Sequence, residues 1–589
     1  MSTTRNITNL DVLIIGAGAA GARTAIALAE SNEDVDQLVI GKRGHGDAHT
    51  TWARGGINAA LGSLDPEDDW TVHAADTLDE GHSINNPDAV ELVTKNMPDR
   101  IRELEDWGME FSRTNEGEIN QRYFGAQSFR RTCFAGDHTG ESLLDTLVDK
   151  AQEMEIPYED YVMVTKILSD GDTAHGALAF DMETGEWELY RADHVVLAAG
   201  GYTSAYARHS SRDDENNGDG VGLALDAGAE VADMEFVQFH PTGMVGDRYG
   251  EKWEGRLVTE AVRGEGGRLY NVEGERFMEY YSPQQMELDA RDVVARAIEQ
   301  EVREGRGTDN DGVYLDVSHR DKEFIKERLP RMYERFESLG VDIAEEPMEV
   351  APTTHYAMGG VRIDWGTGET GVSNLYAVGE TTVGVHGANR LGGNSLAETV
   401  AMGKEVGDEI ASSLTNGDTM QSDADVGKAL PADVVRDVEH HLEALDTAES
   451  GLDPRAMMEN VRDVMHDHAN IRRDGDALRD GLSRIEELRE RGIRVPADRS
   501  SRDFEMVHNA RFMLVVAETV LRGALERDES RGAHYRVDAP EKHEEWRRTI
   551  VFARDGDVWK QWTEAVGEPS DAVQEAVEEG YYLDYHLLE

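Results

Sequence analysis

The sequence predicts an α/β fold organised around a Rossmann-like nucleotide-binding domain. Two observations predict it: an apolar run near the N-terminus ends in glycines with GxGxxG spacing, and two later apolar runs also end in glycine. In a βαβ unit such glycines let the backbone approach a bound pyrophosphate, whose charge lies at the helix N-terminus. We therefore expect a parallel sheet that binds a dinucleotide.

The first apolar run, Asp11–Ile15 (DVLII), is typical of a buried parallel strand. A helix is predicted over Ala22–Glu30, directly after the glycines. A GxGxxG pattern alone is weak evidence, but its position between a strand and a helix indicates a genuine nucleotide site. The glycines are Gly16, Gly18 and Gly21.

A second strand is predicted over Gln37–Ile40, and it ends at Gly41 and Lys42. Sites for NAD usually have an acidic residue near this point, where the carboxylate meets the ribose. Lys42 therefore argues against NAD. The sequence also contains no second dinucleotide fingerprint that would support an NAD-dependent dehydrogenase.

The chain is predicted to return to the same sheet twice more. Val195–Gly201 (VVLAAGG) reads as a strand that runs into glycine, and Leu375–Glu380 (LYAVGE) reads as another. Between them, Asn217–Gly222 (NGDGVG) opens a helix predicted over Leu223–Gly228. The nucleotide-binding domain is therefore predicted to be discontinuous, with an inserted segment of about residues 241–352.

The last third of the chain has a helical pattern. Leu478, Leu482, Ile485 and Leu488 recur at helical spacing, and a long apolar stripe runs over Phe504–Leu525. These segments are typical of a helical bundle. A charged tail that contains tryptophan follows, and its final residues (YYLDYHLLE) fit no predicted element.

The chain is strongly acidic. Its 589 residues include 118 Asp and Glu against 59 Lys and Arg, a formal net charge of −59 that is spread along the whole chain. An ordinary acidic cytosolic protein is one interpretation, but we favour adaptation to molar salt, because about 1 M salt screens such self-repulsion. Nucleic acid is an improbable partner, since its phosphates carry the same sign of charge.

Cys133 is the only cysteine, so the chain cannot form an internal disulfide or hold a Cys-ligated iron–sulfur cluster of its own. No other metal site is predicted. The sequence shows no signal peptide and no apolar run long enough to span a membrane. We therefore expect a cytoplasmic protein that reaches the cytoplasmic face of a membrane only through partner subunits.

Four distant segments carry the residues of a predicted redox site for dicarboxylates. Such a site needs fixed cations and hydrogen-bond donors for two carboxylates, and the planar guanidinium of Arg pairs with a carboxylate through two bonds. The segments are Glu235–Thr242 (EFVQFHPT), Thr259–Gly267 (TEAVRGEGG), Thr354–Gly360 (THYAMGG) and His386–Leu396 (HGANRLGGNSL).

With these segments the chain resembles the flavoprotein subunits of succinate dehydrogenase and fumarate reductase, of which L-aspartate oxidase is a close relative. The resemblance runs from about Asp11 to Arg536. It implies a Rossmann-like FAD-binding domain with an inserted α+β capping domain over the substrate and a C-terminal helical domain. The implied ranges are 1–240 and 353–415 for the FAD-binding domain, 241–352 for the capping domain, 416–545 for the helical domain and 546–589 for a tail.

The resemblance also implies FAD as the cofactor and assigns residues to it. His49, in HTTWARGG, matches the family's histidine that bonds covalently to the methyl group of the isoalloxazine; the alternative is a histidine hydrogen-bonded in a loop. Glu380 matches an FAD position, or else it only starts a helix. The implied FAD-binding residues are Gly16, Gly18, Gly21, Lys42, His49, Thr50, Gly55, Gly56, Asp219, Glu380, Ser395 and Leu396.

The implied substrate residues form two clamps. His240 and Thr259 resemble the clamp for one carboxylate, and His355 and Arg390 resemble the clamp for the other. Two separated clamps would align the substrate carbons with the flavin for hydride transfer. A dianion is repelled by the acidic chain as a whole, so the site itself must be locally positive.

Arg291 resembles the residue that exchanges a proton with the substrate, and Glu260 and Arg263 resemble a relay to solvent. Because the guanidinium pKa stays above about 12, this role needs a proton that moves along the relay in concert. The alternative is that Arg291 is a further electrostatic partner for the substrate. The sequence does not separate the two roles.

Phe124 favours succinate or fumarate over L-aspartate. In the succinate and fumarate branch a Phe at this position packs beside the dicarboxylate, whereas aspartate oxidases have a Glu that meets the substrate ammonium. We therefore expect succinate–fumarate interconversion, with electrons exchanged with an iron–sulfur subunit or a soluble donor. L-Aspartate oxidase, a stand-alone enzyme, is the nearest alternative, and a flavin-binding carrier without turnover is a more distant one.

Overall fold

The computed structural model describes residues 6–31, 34–416, 430–448, 450–556 and 558–580. Its α/β architecture confirms the predicted fold class. The α-helices are Ala19–Ser31, Trp70–Glu80, Pro87–Asp106, Thr139–Glu153, Asp219–Ala227, Gly246–Tyr249, Glu260–Gly264, Met278–Tyr281, Arg291–Arg303, Lys322–Arg328, Pro330–Ser338, Asn394–Asn416, Ala432–Thr447, Pro454–His468, Gly475–Arg491, Arg502–Glu526 and Asp571–Glu579.

A seven-stranded sheet forms the centre of the FAD-binding part. Its order is Tyr158–Asp160, Gln37–Gly41, Asn6–Ile15, Trp187–Leu197, Ala174–Asp181 and Val162–Ser169, with Leu375–Ala377 also paired to Trp187–Leu197. The strands predicted from the glycine-terminated apolar runs are neighbours here. Leu13 pairs in parallel with Val195, and Val195 pairs in parallel with Leu375. Their carboxyl ends therefore meet at one edge of the sheet.

The first strand and helix pack as a βαβ unit because their apolar residues face a common core. Val12, Ile14, Ala22 and Ile26 are fully buried in one cluster, together with residues of the helix Asn394–Asn416. The helix Ala19–Ser31 also packs closely along Asn394–Asn416. This arrangement sets the N-terminal ends of both helices beside the carboxyl edge of the sheet.

The capping segment contains an antiparallel sheet with its own core. The strands are Val237–Met244, Met348–Ala357, Val313–Asp316 and Arg268–Tyr270, in that order. Its first and last strands in sequence extend a few residues beyond the 241–352 range on both sides. The segment is therefore joined to the FAD-binding part by two adjacent strands of one sheet.

Smaller sheets complete the fold. One has the order Gly360–Val361, Val231–Ala232, Arg548–Asp555 and Val558–Ala565; another joins Ile57–Asn58, Thr132–Cys133 and Gln121–Arg122; a third pairs Arg472–Arg473 with Tyr535–Arg536.

The C-terminal part packs against the rest of the chain. The helices Pro454–His468, Gly475–Arg491 and Arg502–Glu526 contact one another as a bundle, in line with their apolar spacing. The segment after them, which the sequence analysis describes as a tail, contains a hairpin and the helix Asp571–Glu579. Val573 of this helix is buried against Ala74, Leu78 and Val90. The unassigned residues 581–589 lie outside the described residues.

No helix in the described ranges is long and apolar enough to cross a membrane.

Candidate active site

The carboxyl ends of the central strands border an open cleft with an empty volume of about 1540 Å³. The carboxyl edge of a parallel sheet is where folds of this kind bind a dinucleotide. Most residues predicted to bind the cofactor line it, namely Gly16, Gly18, Lys42, His49, Thr50, Asp219, Glu380, Ser395 and Leu396.

The glycine turn brings backbone against backbone. At Gly16, where φ is +120°, a Cβ atom would lie 2.1 Å from the carbonyl oxygen of Ala198. At Gly21 it would lie 2.0 Å from the carbonyl oxygen of Gly16. Gly16 therefore lets the turn pass close to the strand end at Ala198, and Gly21 allows the helix to pack on the turn.

Gly55 and Gly56 do not line the cleft. A Cβ atom on Gly55 would lie 2.3 Å from the ring atom Cζ of Phe124, and one on Gly56 would lie 2.4 Å from Cγ2 of Thr132. The two glycines thus make room for neighbouring side chains. Gly55 admits the Phe124 ring, and Gly56 admits the side chain of Thr132.

Two residues that line the cleft have buried polar atoms without a hydrogen-bond partner among the described residues. Lys42 Nζ lies 2.6 Å from Oδ2 of Asp219, but the other carboxylate oxygen, Oδ1, is buried with no hydrogen-bond partner among the described residues. Asn216 Nδ2 is buried and unpartnered in the same way. Buried polar groups are normally satisfied, so these atoms fit a site that a polar cofactor completes.

Glu380 and Thr50 are held in place beside the cleft. Glu380 Oε1 accepts a hydrogen bond from the backbone N–H of Ala357 at 3.0 Å. Burial raises the pKa of Glu380 to about 7, although the nearby His49 lowers it. Thr50 Oγ1 accepts from the backbone N–H of Ala19 at 3.2 Å.

His49 pairs with a carboxylate at the edge of the cleft. Its Nδ1 atom lies 3.0 Å from Oε1 of Glu215. Burial lowers the pKa of His49, but the hydrogen bond and the charge of Glu215 outweigh it, and the net shift is upward. The imidazole is therefore held through Nδ1, and Nε2 has no hydrogen-bond partner among the described residues.

Two predicted substrate histidines lie side by side at the junction of the two domains. His240 is on the strand Val237–Met244 and His355 is on the adjacent strand Met348–Ala357, with ring centroids 5.4 Å apart. His355 also lines the flavin cleft. The predicted substrate site and the predicted cofactor site are therefore contiguous.

Both histidines are neutral. Burial lowers the pKa of His240 well below its usual value, and the charges of Arg291, Arg263 and Arg390 lower it further. Burial and Arg291 have the same effect on the pKa of His355. The Nδ1 atom of His240 accepts from the backbone N–H of Thr242 at 3.2 Å, so the ring proton is on Nε2.

Arg291 is bound to Glu260 in a buried ion pair. The Nε atom of Arg291 lies 2.8 Å from Oε2 of Glu260, and Nη2 contacts the same oxygen. Burial raises the pKa of Glu260, but the charges of Arg291 and Arg263 lower it to about 2. The carboxylate is therefore ionised, and its Oε1 accepts from the backbone N–H of Gly125 at 2.7 Å.

Arg263 and Arg390 complete the cluster of positive charge. Arg263 Nη2 lies 3.8 Å from Oε1 of Glu260 and has no hydrogen-bond partner among the described residues. Arg390 stacks on the ring of Tyr356 at 4.6 Å, and its Nε is buried without a partner in the described ranges. Burial and the charge of Arg291 lower the pKa of Arg390 to about 9.

The charges of this cluster suit a dianion. Three guanidinium groups, those of Arg263, Arg291 and Arg390, lower the pKa of His240 through their charge, and Glu260 is the carboxylate that is hydrogen-bonded to Arg291. In a chain with a net charge of −59 this is an unusual local environment. A ligand with two carboxylates would neutralise it and satisfy the unpartnered guanidinium atoms.

Thr259 and Phe124 lie at the border of the cluster. Thr259 is buried and its hydroxyl accepts from the backbone N–H of Ala261 at 3.3 Å, which caps the short helix containing Glu260 and Arg263. No hydrogen bond joins Thr259 to His240 within the described ranges. The buried Phe124 ring packs between Gly55 and Gly392.

Two residues that the sequence analysis does not predict, Gln238 and Ser210, are hydrogen-bonded to predicted site residues. Gln238 Oε1 accepts from Nη1 of Arg291 at 2.8 Å, and its Nε2 donates to the carbonyl oxygen of Arg390 at 2.8 Å. The signal was available, because side chains at i and i+2 of a strand share a face, so Gln238 accompanies His240. Ser210 Oγ lies 2.9 Å from Nδ1 of His355, and no motif singled it out.

Comparison with known proteins agrees with this arrangement. Residues 11–396 match the family profile described as FAD binding domain, and residues 458–574 match the one described as fumarate reductase flavoprotein C-term. The FAD cofactor predicted from the sequence is thereby confirmed, whereas its covalent attachment stays a prediction.

Relatives match the chain over almost its full length. A fumarate reductase (CoM/CoB) subunit of Methanothermobacter marburgensis is 43% identical, over 92% of this chain and 97% of its own. The succinate dehydrogenase flavoprotein subunit of Rickettsia conorii is 36% identical, over 92% and 93%. The structure of the E. coli quinol fumarate reductase flavoprotein has a TM-score of 0.88 at 33% identity and covers 96% of this chain and 99% of its own. This chain belongs to the succinate dehydrogenase and fumarate reductase flavoprotein family.

Proposed function

We propose that this chain is the FAD-dependent subunit of an enzyme that interconverts succinate and fumarate. The observation that carries the proposal is the buried cluster of three guanidinium groups and two neutral histidines next to the flavin cleft. Its positive charge and the guanidinium atoms that have no partner among the described residues match a dicarboxylate, and its position matches a substrate that exchanges a hydride with the flavin.

The histidines and arginines bind and orient the substrate. His240, as a neutral ring with its proton on Nε2, donates one hydrogen bond to a carboxylate, and Thr259 lies on the same side by resemblance. His355 and Arg390 hold the other carboxylate. Bound FAD supplies the hydride acceptor or donor. Holding both ends of the substrate fixes its central carbons against the flavin.

Arg291 delivers or removes the proton. Its two hydrogen bonds to Glu260 and one to Gln238 fix the plane of the guanidinium, so that the two remaining N–H groups can face the substrate. When Arg291 takes a proton from succinate, ionised Glu260 can accept one from Arg291 in concert; in the opposite direction, Glu260 receives a proton through the relay and returns it as Arg291 protonates fumarate. Arg263, 3.8 Å from Glu260, continues the relay.

The flavin is bound covalently through His49 in this proposal. His49 lines the cleft with its Nδ1 held by Glu215, which leaves Nε2 for the bond. Such a bond would raise the reduction potential of the flavin and favour succinate oxidation. Electrons then pass to an iron–sulfur partner subunit, which holds the chain on the cytoplasmic face of a membrane.

Turnover by the isolated chain tests this function. The purified chain, loaded with FAD, is supplied with a reduced viologen dye and fumarate, and in the opposite direction with succinate and an oxidised dye. We expect activity in both directions. Oxidation of L-aspartate without oxidation of succinate would instead favour L-aspartate oxidase, the second candidate, although Phe124 offers no charge to meet a substrate ammonium.

A further inference from the structure

A buried carboxylate outside the predicted set controls the orientation of His49. Glu215 is 5% exposed and lies in the loop before the helix Asp219–Ala227. Its Oε1 atom receives the His49 Nδ1 contact at 3.0 Å and the backbone N–H of Arg212 at 2.9 Å. Both oxygens of Glu215 are committed within this small cluster, because Oε2 binds the Arg212 side chain.

Arg212 keeps Glu215 ionised and fixed. The Nε and Nη2 atoms of Arg212 lie 3.0 and 2.8 Å from Oε2 of Glu215 in a two-bonded fork. Burial raises the pKa of Glu215, but the hydrogen bond from His49 and the charge of Arg212 lower it far more. A carboxylate only accepts hydrogen bonds, so the Nδ1 atom of His49 must carry a proton.

The consequence for His49 is a defined tautomer. In the neutral ring with its proton on Nδ1, Nε2 carries the lone pair. His49 lines the flavin cleft, and Nε2 has no hydrogen-bond partner in the described part of the chain. A nucleophile oriented by a third group is the usual arrangement for covalent bond formation in proteins.

We infer that Glu215 is a positioning residue for cofactor attachment: it holds the Nδ1 proton of His49, directs the Nε2 lone pair at the ring methyl group of FAD, and stabilises the positive charge that develops on the imidazole. The inference rests on the proposed covalent bond at His49. It assigns to this chain a carboxylate–imidazole pair that acts on the flavin and has no contact with the dicarboxylate cluster.

The bond forms with a net loss of two hydrogens. Nε2 becomes bonded to the methyl carbon, that carbon loses one hydrogen, and the imidazole gives up its Nδ1 proton to restore a neutral ring. The two electrons and two protons are taken up by fumarate, the oxidant of the proposed reaction, which becomes succinate. The chain therefore gains the mass of FAD less two hydrogen atoms.

The test compares Glu215→Gln with Asp214→Asn. Asp214 is the adjacent carboxylate, pairs with Arg43, and makes no contact with His49, so its variant removes one charge from the same loop. Each chain is produced in riboflavin-depleted cells, so that it is isolated without FAD, and is then incubated with FAD and fumarate. Total bound FAD is read from absorbance, and covalent FAD is read from intact mass and from fluorescence in a denaturing gel.

We expect the wild-type chain and Asp214→Asn to form the bond at equal rates. Glu215→Gln should bind FAD but form the bond about 10- to 100-fold more slowly, the effect of losing one hydrogen bond to a charged group. Glu215→Asp, which keeps the charge on a shorter side chain, should recover part of the rate and shows that a slow Glu215→Gln is not a folding defect.

Bond formation by Glu215→Gln at the wild-type rate would overturn the inference, and so would a wild-type chain that binds FAD yet never forms the bond. Fumarate reduction is measured on the same wild-type sample. If it turns over fumarate without a covalent flavin, only the inference and the covalent bond fail. If it forms the bond but turns over no fumarate beyond the one molecule that bond formation consumes, the inference stands and the proposed function fails.

Discussion

Arg291 and Glu260 form a buried ion pair beside the neutral imidazole of His240, with Arg291 Nε 2.8 Å from Glu260 Oε2. Because the Glu260 carboxylate is ionised, it is ready to receive a proton, either from Arg291 or from the relay residue Arg263. The pair therefore couples substrate protonation to the relay through Arg263. The first two predictions follow from this coupling.

Glu260→Gln should lower kcat for fumarate reduction about 10²- to 10⁴-fold, the usual contribution of a proton-transfer group. In fumarate reduction the proton that Arg291 gives to the substrate is replaced through Glu260; the amide can accept a hydrogen bond from Arg291 but cannot carry this proton. Steady-state kinetics with a reduced dye measure the effect. Glu254→Gln, in the capping segment and away from the cluster, is the control and should behave as wild type. An unchanged kcat in Glu260→Gln would remove Glu260 from the relay.

Gln238→Leu should lower kcat about 10- to 100-fold while FAD remains bound. The substitution removes the 2.8 Å hydrogen bond to Arg291 Nη1 and leaves that charged donor unsatisfied. Gln238→Met, which keeps the length of the side chain but offers no oxygen acceptor, should lose as much activity as Gln238→Leu. Near-wild-type kcat in Gln238→Met would show that Gln238 acts through packing and does not orient Arg291.

Phe124→Glu should abolish most activity toward succinate and fumarate. A carboxylate at this buried position would lie near the dianion and repel it, so KM should rise at least about 10-fold. Phe124→Leu, which keeps an apolar side chain, is the matched control and should retain most activity. If Phe124→Glu gained oxidation of L-aspartate, the position would be a specificity switch between the two branches of the family.

The protein should become less stable as the pH falls from 6.5 toward 4, because buried histidines such as His194 stay neutral in the folded chain. Burial lowers the pKa of His194 to about 4, so the unfolded chain takes up a proton in this window and the folded chain does not. Such a histidine therefore lowers the free energy of unfolding by about 1.4 kcal/mol for each pH unit between its unfolded pKa of about 6.5 and its folded pKa.

Denaturant unfolding of wild type and His194→Gln at pH 7 and pH 5 measures this cost. The difference in unfolding free energy between the two pH values should be smaller in His194→Gln, which has no group to titrate. The comparison between the two proteins cancels the effect of pH on the many carboxylates. An identical pH dependence in both proteins would contradict the assignment.

Salt should stabilise this chain strongly. With a net charge of −59, self-repulsion opposes the compact state in dilute buffer, and about 1 M salt shortens the Debye length to about 3 Å. Raising KCl from about 0.1 M to about 2 M should increase Tm by more than about 5 °C. A Tm that stays constant or falls would contradict adaptation to molar salt.

Local sequence patterns predict the individual strands and helices well, because the apolar spacing and glycines of a segment depend on the structure of that segment alone. Asp11–Ile15 and the glycines after it predict a strand and a helix, and both are present with slightly longer bounds. The apolar spacing around Leu478 and Ile485 likewise predicts the helix Gly475–Arg491. Register between distant strands, such as Leu13 with Val195, has no local signal and follows only from the fold.

The candidate site was less accessible to sequence reasoning. His240, His355 and Arg390 are found in motifs that the family resemblance identifies, and the structure brings them together. Gln238 could have been found from strand alternation. Glu215 could not, because its contact with His49 joins residues 166 positions apart through a loop without periodicity.

Anaerobic reduction of the bound flavin is the most direct test of the central claim, that the arginine–histidine cluster delivers a dicarboxylate to FAD. The oxidised, FAD-loaded chain is mixed with succinate, and the loss of yellow flavin absorbance is followed in wild type and in Arg390→Gln. We predict rapid bleaching by succinate in wild type, at least about 100-fold slower bleaching in Arg390→Gln, and none with L-aspartate. Bleaching of wild type by L-aspartate but not by succinate would contradict the account.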